Sequence, residues 1–219
     1  MRDIYLLNED KYEGVKNLPM IKINFFQKEI DLNPYDALVF TSKNGVRAIE
    51  RIDKDWVKKE IYSIGQGTSK EIKKHNANLI YTAKNSYGDS FAQEIQDKLK
   101  NKKVLFLRAK KVTSRLNQIL KVAQVDLEEE IIYETTCRAY GQHEKLDDNS
   151  VIIFTSPSTV KCFLKNFNWH KSYRAVCIGK VTAKTIPSYI DYTLCKKQTI
   201  LSCVELAKSL SSKITDDMI

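Results

Sequence analysis

The sequence predicts an α/β protein with two doubly wound parallel-sheet lobes that arose by internal duplication. Short apolar runs alternate with segments of helical period, which is typical of βαβ units and a parallel sheet. Two motifs recur at one offset: Phe40–Ser42 returns as Phe154–Ser156, and Ile64–Thr68 returns as Ile178–Thr182, each 114 residues later. With 42% hydrophobic and 29% charged residues, the 219-residue chain can fill packed cores.

The first copy reads as five strands joined by four helices. Its strands are short apolar or alternating runs, and its helices show apolar residues at helical spacing. The predicted strands are Ala37–Thr41, Ile61–Ile64, Asn78–Thr82, Val104–Arg108 and Asp126–Tyr133. The predicted helices are Asn44–Asp53, Thr68–His75, Asp89–Lys100 and Thr113–Val122. Right-handed crossovers then place helices on both faces of the sheet.

The second copy is shorter than the first. It supplies three strands, each followed by a helix: Val151–Phe154, Tyr173–Ile178 and Tyr192–Cys195. The N-terminus offers the two missing strands, because Ile4–Leu7 is similar to Leu105–Leu107 and Met20–Gln27 is similar to the strand that ends at Tyr133.

These strands predict one lobe inserted into another. Residues 1–30 plus 138–219 form the discontinuous lobe, and residues 35–132 form the inserted lobe. Residues 28–35 and 133–140 are the two connecting segments. Two short connectors that run side by side are typical of a hinge, so we expect a cleft between the lobes and relative motion about it.

Cysteine and histidine exclude several classes of site. The five cysteines are odd in number and lack a Cys-x-x-Cys pair, so neither a disulfide framework nor a zinc ribbon is expected. Cys162 and Cys177 lie in apolar stretches and are interpreted as reduced core cysteines. The three histidines lack metal-ligand spacing. We therefore expect no metal and no Ser-His or Cys-His catalysis.

The N-terminus has no signal-peptide pattern and no apolar run approaches the length of a membrane span, so we expect a cytoplasmic protein with no membrane partner. The formal net charge is +9, and nine basic residues lie within residues 98–121 without an acid. Outside this stretch, the remaining 27 basic residues equal the 27 acidic ones. A solvated lysine-rich surface is the favoured interpretation. No nucleic-acid-binding motif is present, and we expect no nucleic-acid partner.

The repeated motifs follow predicted strands, where open parallel sheets bind ligands. Thr41 and Ser42 end one strand and open a helix, while Gly65 and Thr68 follow the next strand. The second copy repeats this arrangement, and Arg108 ends a further strand that could face the cleft. The repeated positions are Ser156, Gly179 and Thr182. Helix N-termini with Ser and Thr favour an anion, although helix capping alone also explains these residues.

The Phe-Thr-Ser and Ile-Gly-x-x-Thr pairs, the Leu107–Arg108 segment and the strand end Ile132–Thr135 resemble the uroporphyrinogen-III synthase family over nearly the whole chain. The resemblance implies two α/β lobes, a two-stranded connector, an active site between the lobes and no cofactor. It implies the substrate hydroxymethylbilane, a linear tetrapyrrole with an acetate and a propionate on each ring. Loss of water, ring closure and inversion of the terminal ring would give uroporphyrinogen III.

The resemblance also implies roles for individual residues. Tyr133 would donate a proton to the leaving hydroxyl, which would help the hydroxyl to leave. Arg174 is a basic residue where the family often has one. Substrate-binding positions would be Thr41, Ser42, Gly65, Thr68, Arg108, Ser156, Gly179 and Thr182. The sequence departs from the family pattern at Ala109–Lys111, where a glycine is expected, and at Gly45, where a larger residue is expected.

Two other functions share these features. A two-lobed, non-catalytic sensor for an anion would have the same fold, hinge and cleft. The interpretation as a nucleic-acid-binding protein is supported by the net charge alone. The favoured interpretation is a monomeric enzyme of tetrapyrrole biosynthesis.

Overall fold

The computed structural model describes residues 2–85, 87–141 and 145–212. In chain order, its strands are β1 (Ile4–Leu6), β2 (Lys16–Asn17), β3 (Ile21–Phe25), β4 (Ala37–Phe40), β5 (Glu60–Ser63), β6 (Leu79–Thr82), β7 (Lys103–Ala109), β8 (Asp126–Cys137), β9 (Val151–Phe154), β10 (Arg174–Cys177) and β11 (Tyr192–Leu194). Its α-helices are α1 (Lys43–Ile52), α2 (Gly65–Lys73), α3 (Gly88–Ile95), α4 (Leu116–Val122), α5 (Pro157–Asn166), α6 (Lys180–Ala183) and α7 (Ile200–Ser212). Two 3-10 helices span Lys54–Lys58 and Gln96–Leu99.

The chain divides into two compact units. The discontinuous unit comprises Met1–Lys22 and Thr136–Ile219, and the inserted unit comprises Ile23–Thr135. The alternation of strands and helices predicted from the sequence is confirmed, and each unit has its own largely parallel sheet. The prediction placed residues 1–30 in the discontinuous lobe, whereas the structure places the division after Lys22.

The inserted unit contains a six-stranded sheet in the order β3-β8-β7-β4-β5-β6. Neighbours from β8 to β6 are parallel, with Phe40 opposite both Ser63 and Leu107. Helices cover both faces because side chains alternate along each strand. Leu38 and Phe40 pack with α1 and α2 on one face, while Val39 packs with α3 and α4 on the other.

The edge strand β3 corrects one strand assignment. The Phe26 amide donates to Ile132 O at 3.0 Å, and the Arg138 amide donates to Met20 O at 2.9 Å, so this stretch runs antiparallel to β8. The segment Met20–Gln27 therefore extends the sheet of the inserted unit instead of completing the other one. The physical reason is that β8, twelve residues long, exposes a long edge, and an apolar pattern alone does not identify the strand's partner.

The discontinuous unit contains a five-stranded parallel sheet in the order β11-β10-β9-β1-β2. The N-terminal strand β1 lies between β9 and β2, with Tyr5 opposite both Ile152 and Lys16. Helix α5 packs on one face of this sheet and α7 on the other. Each fully buried aliphatic or aromatic side chain in these cores contributes roughly 1.5–3 kcal/mol.

Cys137 and Cys162 form a disulfide with Cα atoms 5.2 Å apart, so the expectation of a reduced Cys162 is wrong. Strand β8 continues past Tyr133 to Cys137, four residues beyond its predicted end, and this extension brings Cys137 to α5. A sequence separation of 25 residues gave no signal for the pairing. Cys177 remains a free, buried thiol.

The termini of other elements differ modestly from the predictions. Helix α2 begins at Gly65, three residues before the predicted start at Thr68. Helix α3 gives way to a 3-10 turn after Ile95. Among the described residues, every helix is too short or too polar to cross a bilayer.

Candidate functional site

Ser42 follows β4 at the carboxyl edge of the inserted sheet. Its hydroxyl accepts a hydrogen bond from the Asn44 amide at 3.1 Å and caps α1. Thr41, immediately before it, is half-buried. The Gly45 amide donates to Ser42 O at 3.0 Å, which leaves the Lys43 amide without a partner among the described residues, and a helix N-terminus of this kind favours an anion.

Tyr133 lies on β8 in the same apolar core as Phe40, and only 5% of its surface is exposed. Burial raises the pKa of the phenol, and a hydrogen bond with Ser42 lowers it by a smaller amount. The phenol is therefore protonated at neutral pH and can donate a proton. The structure thus brings together Tyr133 and Ser42, two residues that the sequence analysis singled out separately.

Gly45 explains one departure from the family pattern. A Cβ at this position would lie 3.2 Å from Leu107 O, 3.2 Å from Phe40 Cδ1 and 3.8 Å from Tyr133. The first two distances are shorter than ordinary van der Waals contacts. Glycine therefore lets the first turn of α1 approach the strand ends and the Tyr133 ring closely.

Gly65 and Thr68 lie in the first turn of α2. Gly65 has φ +61°, a left-handed conformation that favours glycine. Thr68 is 6% exposed and is the fourth helical residue, so it does not cap the helix. No hydrogen bond joins its hydroxyl to another residue of the described chain. The interpretation of Thr68 as a cap is wrong, because the helix begins earlier than its sequence pattern suggests.

In the second copy, too, the serine caps a helix and the threonine does not. Ser156 caps α5 in a reciprocal arrangement with Thr159, whose amide donates to Ser156 Oγ at 3.2 Å. Gly179 precedes α6, and Thr182 is the third residue of that helix. Thr182 is 3% exposed, and its hydroxyl has no hydrogen-bond partner in residues 2–85, 87–141 and 145–212. Thr68 and Thr182 are therefore matched, buried threonines whose side chains do not cap their helices.

The two predicted arginines differ in position: Arg108 lies near the carboxyl end of β7, one residue after Leu107, which is opposite Phe40, whereas Arg174 does not lie at a carboxyl end. Arg108 pairs with Glu129 at 2.7 Å, and Glu129 also accepts a hydrogen bond from Asn117 of α4 at 3.0 Å. Both charged side chains are largely buried, with 18% and 15% exposed, so Arg108 serves the packing of β7 against α4. Arg174 is the first residue of β10, at its amino end, opposite Val151. The structure does not bring Arg174 to the strand end that carries Gly179.

The basic stretch 98–121 is mostly neutralised. Seven of its nine basic side chains form ion pairs with acids, and Lys98 lies over the Tyr81 ring at 5.3 Å. The paired side chains are Lys100, Lys102, Lys103, Arg108, Lys110, Arg115 and Lys121. The net charge that the sequence concentrates here is offset in the fold by acids from other segments.

Unpaired charge lies instead in residues 150–212. This segment holds nine Lys and Arg residues and only two acids, Asp191 and Glu205. None of the nine forms an ion pair with a described residue. The sequence analysis missed this segment because its lysines are dispersed, although the scarcity of acids was a readable signal. Among the described residues, no three His, Cys, Asp or Glu side chains lie together as metal ligands.

Comparisons with known proteins agree with this architecture. The family model "Uroporphyrinogen-III synthase HemD" matches residues 13–199. The crystal structure of uroporphyrinogen-III synthetase from Helicobacter pylori is 30% identical, with a TM-score of 0.80, and the match covers 96% of this chain and 100% of that one. Comparison with curated protein sequences gave no significant match.

A more distant structure shows the same fold. A mutant uroporphyrinogen III synthase from Thermus thermophilus is 11% identical, with a TM-score of 0.59 over 97% of this chain and 100% of that chain. The family match extends over most of the sequence, including every candidate site residue from Thr41 to Thr182. The chain belongs to the uroporphyrinogen-III synthase HemD family.

Proposed function

We propose that this protein is a uroporphyrinogen-III synthase that converts hydroxymethylbilane to uroporphyrinogen III. The observation that carries the proposal is the family match over residues 13–199, together with 30% identity to the Helicobacter pylori enzyme over its whole length. The reaction is that of a hydro-lyase: the carbon–oxygen bond of the hydroxymethyl group breaks, a carbon–carbon bond closes the ring, and water leaves.

The substrate is a flexible polyanion with eight carboxylates. The strand-end helices α1 and α2, of eight or more residues each, offer amide groups at their N-termini, whereas at α5 Pro157 has no amide hydrogen and the Ser156 and Thr159 amides are already paired. Thr68 and Thr182 add hydroxyls that form no hydrogen bond with a described residue. We assign substrate binding to both sets, because ring closure at the correct carbon depends mainly on how the chain is folded and oriented.

Tyr133 is the proposed proton donor to the leaving hydroxyl. Burial keeps its phenol protonated, and the Ser42 side chain lies beside the phenol. The pyrroles are electron-rich and expel hydroxide readily, so the acid assists a departure that the substrate already favours. Arg108 and Arg174 have no part in this assignment, because the first is held by Glu129 and the second lies at the amino end of β10.

We further propose a cytoplasmic monomer that acts without a cofactor and without nucleic acid. The ion pairing of the basic stretch 98–121 supports the last point for that stretch, since its paired cations are less available to phosphate groups.

The isomer of the product tests the proposal. The protein is incubated with hydroxymethylbilane generated enzymatically in the same vessel, and the isomers are separated by chromatography. Spontaneous closure gives type I, so type III in excess of a protein-free control is expected. Type I alone would overturn the proposal, and binding of the bilane without turnover would favour an anion sensor.

A further inference from the structure

We propose that Lys196 and Lys197, with Lys180 and Lys184, bind the carboxylates of the tetrapyrrole at the carboxyl edge of the five-stranded sheet. These four residues are called the strand-end lysines below. The inference rests on the proposed function and adds specific cationic residues to it.

The first observation is the position of the strand-end lysines. Lys196 and Lys197 come after β11, separated from it by Cys195 alone, and Lys180 and Lys184 lie in and just after α6, which follows β10. Both strands run parallel, so their carboxyl ends share one edge of the sheet. Ligands of open parallel sheets bind beyond this edge.

The second observation joins the two segments. The Cys195 amide donates to Cys177 O at 2.9 Å, which fixes the end of β11 beside the end of β10. A Cβ on Gly179 would lie 3.1 Å from the side-chain amide of Gln198. The residue after Lys197 therefore packs on the turn that begins α6, and the lysine pair lies beside the helix that carries Thr182.

The third observation is charge. All four strand-end lysines are exposed, and none forms an ion pair with a described residue. The two acids of residues 150–212 do not offset them: Asp191 precedes β11, at its amino end, and Glu205 lies in α7. In the basic stretch 98–121, by contrast, seven of nine cations are paired within the protein. The strand-end lysines are therefore unpaired cations at an edge where such sheets bind ligands, beside the Thr182 hydroxyl. This arrangement suits the carboxylate groups of the substrate.

The test compares two double variants that remove the same charge. Lys196→Gln with Lys197→Gln removes it from the carboxyl edge. Lys165→Gln with Lys171→Gln removes it from the last turn of α5 and the loop before β10, two exposed positions with no ion pair among the described residues. Exposed lysine-to-glutamine changes leave the fold intact, which melting curves verify.

An exposed ion contact changes binding by roughly 2- to 5-fold. We expect KM for hydroxymethylbilane to rise about 5- to 20-fold in the Lys196/Lys197 variant with kcat within 2-fold of wild type. Its KM should also depend less on salt, because screening acts on the contacts that were removed. The Lys165/Lys171 variant should stay within 2-fold of wild type in both constants.

A second measurement is independent of turnover. Uroporphyrin, a stable octacarboxylate, is titrated into each protein and its fluorescence recorded. Weaker binding only in the Lys196/Lys197 variant supports the inference even if wild type forms no type III isomer. Equal losses in both double variants, or no loss in either, overturn the inference whether or not the proposed function holds.

Discussion

At the scale of single residues, the hydroxyl groups of the candidate substrate-binding residues divide into two kinds. Ser42 and Ser156 use their hydroxyls to cap α1 and α5. Thr68 and Thr182 are buried at matched positions in the two copies, and their hydroxyls bond to no described residue. Neither hydroxyl oxygen is among the fully buried, unpaired polar atoms of the described residues, so each can be reached from solvent and can form a hydrogen bond with a ligand.

Replacement of either threonine by valine tests whether its hydroxyl binds a ligand. Valine keeps the shape and removes the hydroxyl, so we expect activity to fall about 10-fold while the melting temperature stays level or rises slightly. Ser156→Ala is the matched comparison for stability, since loss of its cap should lower the free energy of unfolding by about 1 kcal/mol and with it the melting temperature. Unchanged activity in Thr68→Val and Thr182→Val would contradict a role in binding.

Tyr133→Phe tests the proton donor. The ring and its packing remain, so the fold should be unaffected, and type III formation at saturating bilane should slow by about 100-fold or less. Tyr62→Phe, at a tyrosine that is 1% exposed in the same unit, is the control and should leave the rate unchanged. A normal rate in folded Tyr133→Phe would remove the phenol from the mechanism, and a larger type I fraction would show that it positions the terminal ring.

At the scale of elements, α1 and α2 are joined by a charged pair. Arg47 donates to Glu71 at 2.8 Å and Lys74 donates to the other carboxylate oxygen at 2.8 Å. The hydrogen bond from Arg47 is the largest of the effects that lower the pKa of Glu71 to about 2, and Lys74 adds to it. The folded pKa lies below that of an unfolded glutamate, so this pair stabilises the fold above pH 4.5 and the contribution is lost as pH falls toward 2.

Glu71→Gln should therefore lower the free energy of unfolding by on the order of 1–3 kcal/mol at pH 7, with the difference from wild type shrinking below pH 4.5. Urea denaturation at several pH values measures it. Glu205→Gln, at an exposed carboxylate without a described ion pair, should differ little from wild type at any pH. A wild-type-like Glu71→Gln at pH 7 would contradict the assignment.

The disulfide joins the last residue of β8 to α5 and closes a loop with a sequence separation of 25 residues. A crosslink over such a loop typically contributes about 2–4 kcal/mol. Protein purified without reductant and then denatured should show three titratable thiols, and five after reduction, with a lower melting temperature in the reduced form. Five titratable thiols before reduction would contradict the pairing. They would show that Cys137 and Cys162 stay reduced, as thiols usually do in a reducing cytoplasm.

At the scale of the whole molecule, the order of strands and helices could be predicted from the sequence because short apolar runs and helical periods alternate so regularly. The assignment of Met20–Gln27 could not, since the same alternation suits either sheet edge. The paired threonines were found through repeated motifs, and Tyr133 was found through the resemblance to the family. The surroundings of the two arginines could not be predicted. The salt bridge between Arg108 and Glu129 and the position of Arg174 at the amino end of β10 both depend on strand register, which the sequence does not specify. The hinge between lobes stays a prediction.

The central claim is that this chain directs closure of hydroxymethylbilane to the type III isomer. The most direct measurement is the type III fraction as a function of protein concentration, with enzymatically generated bilane and heat-inactivated protein as control. We expect the initial rate of type III formation to rise in proportion to active protein while the type I fraction falls. A type III fraction that stays at the level of the inactivated control across the concentration series would contradict the claim.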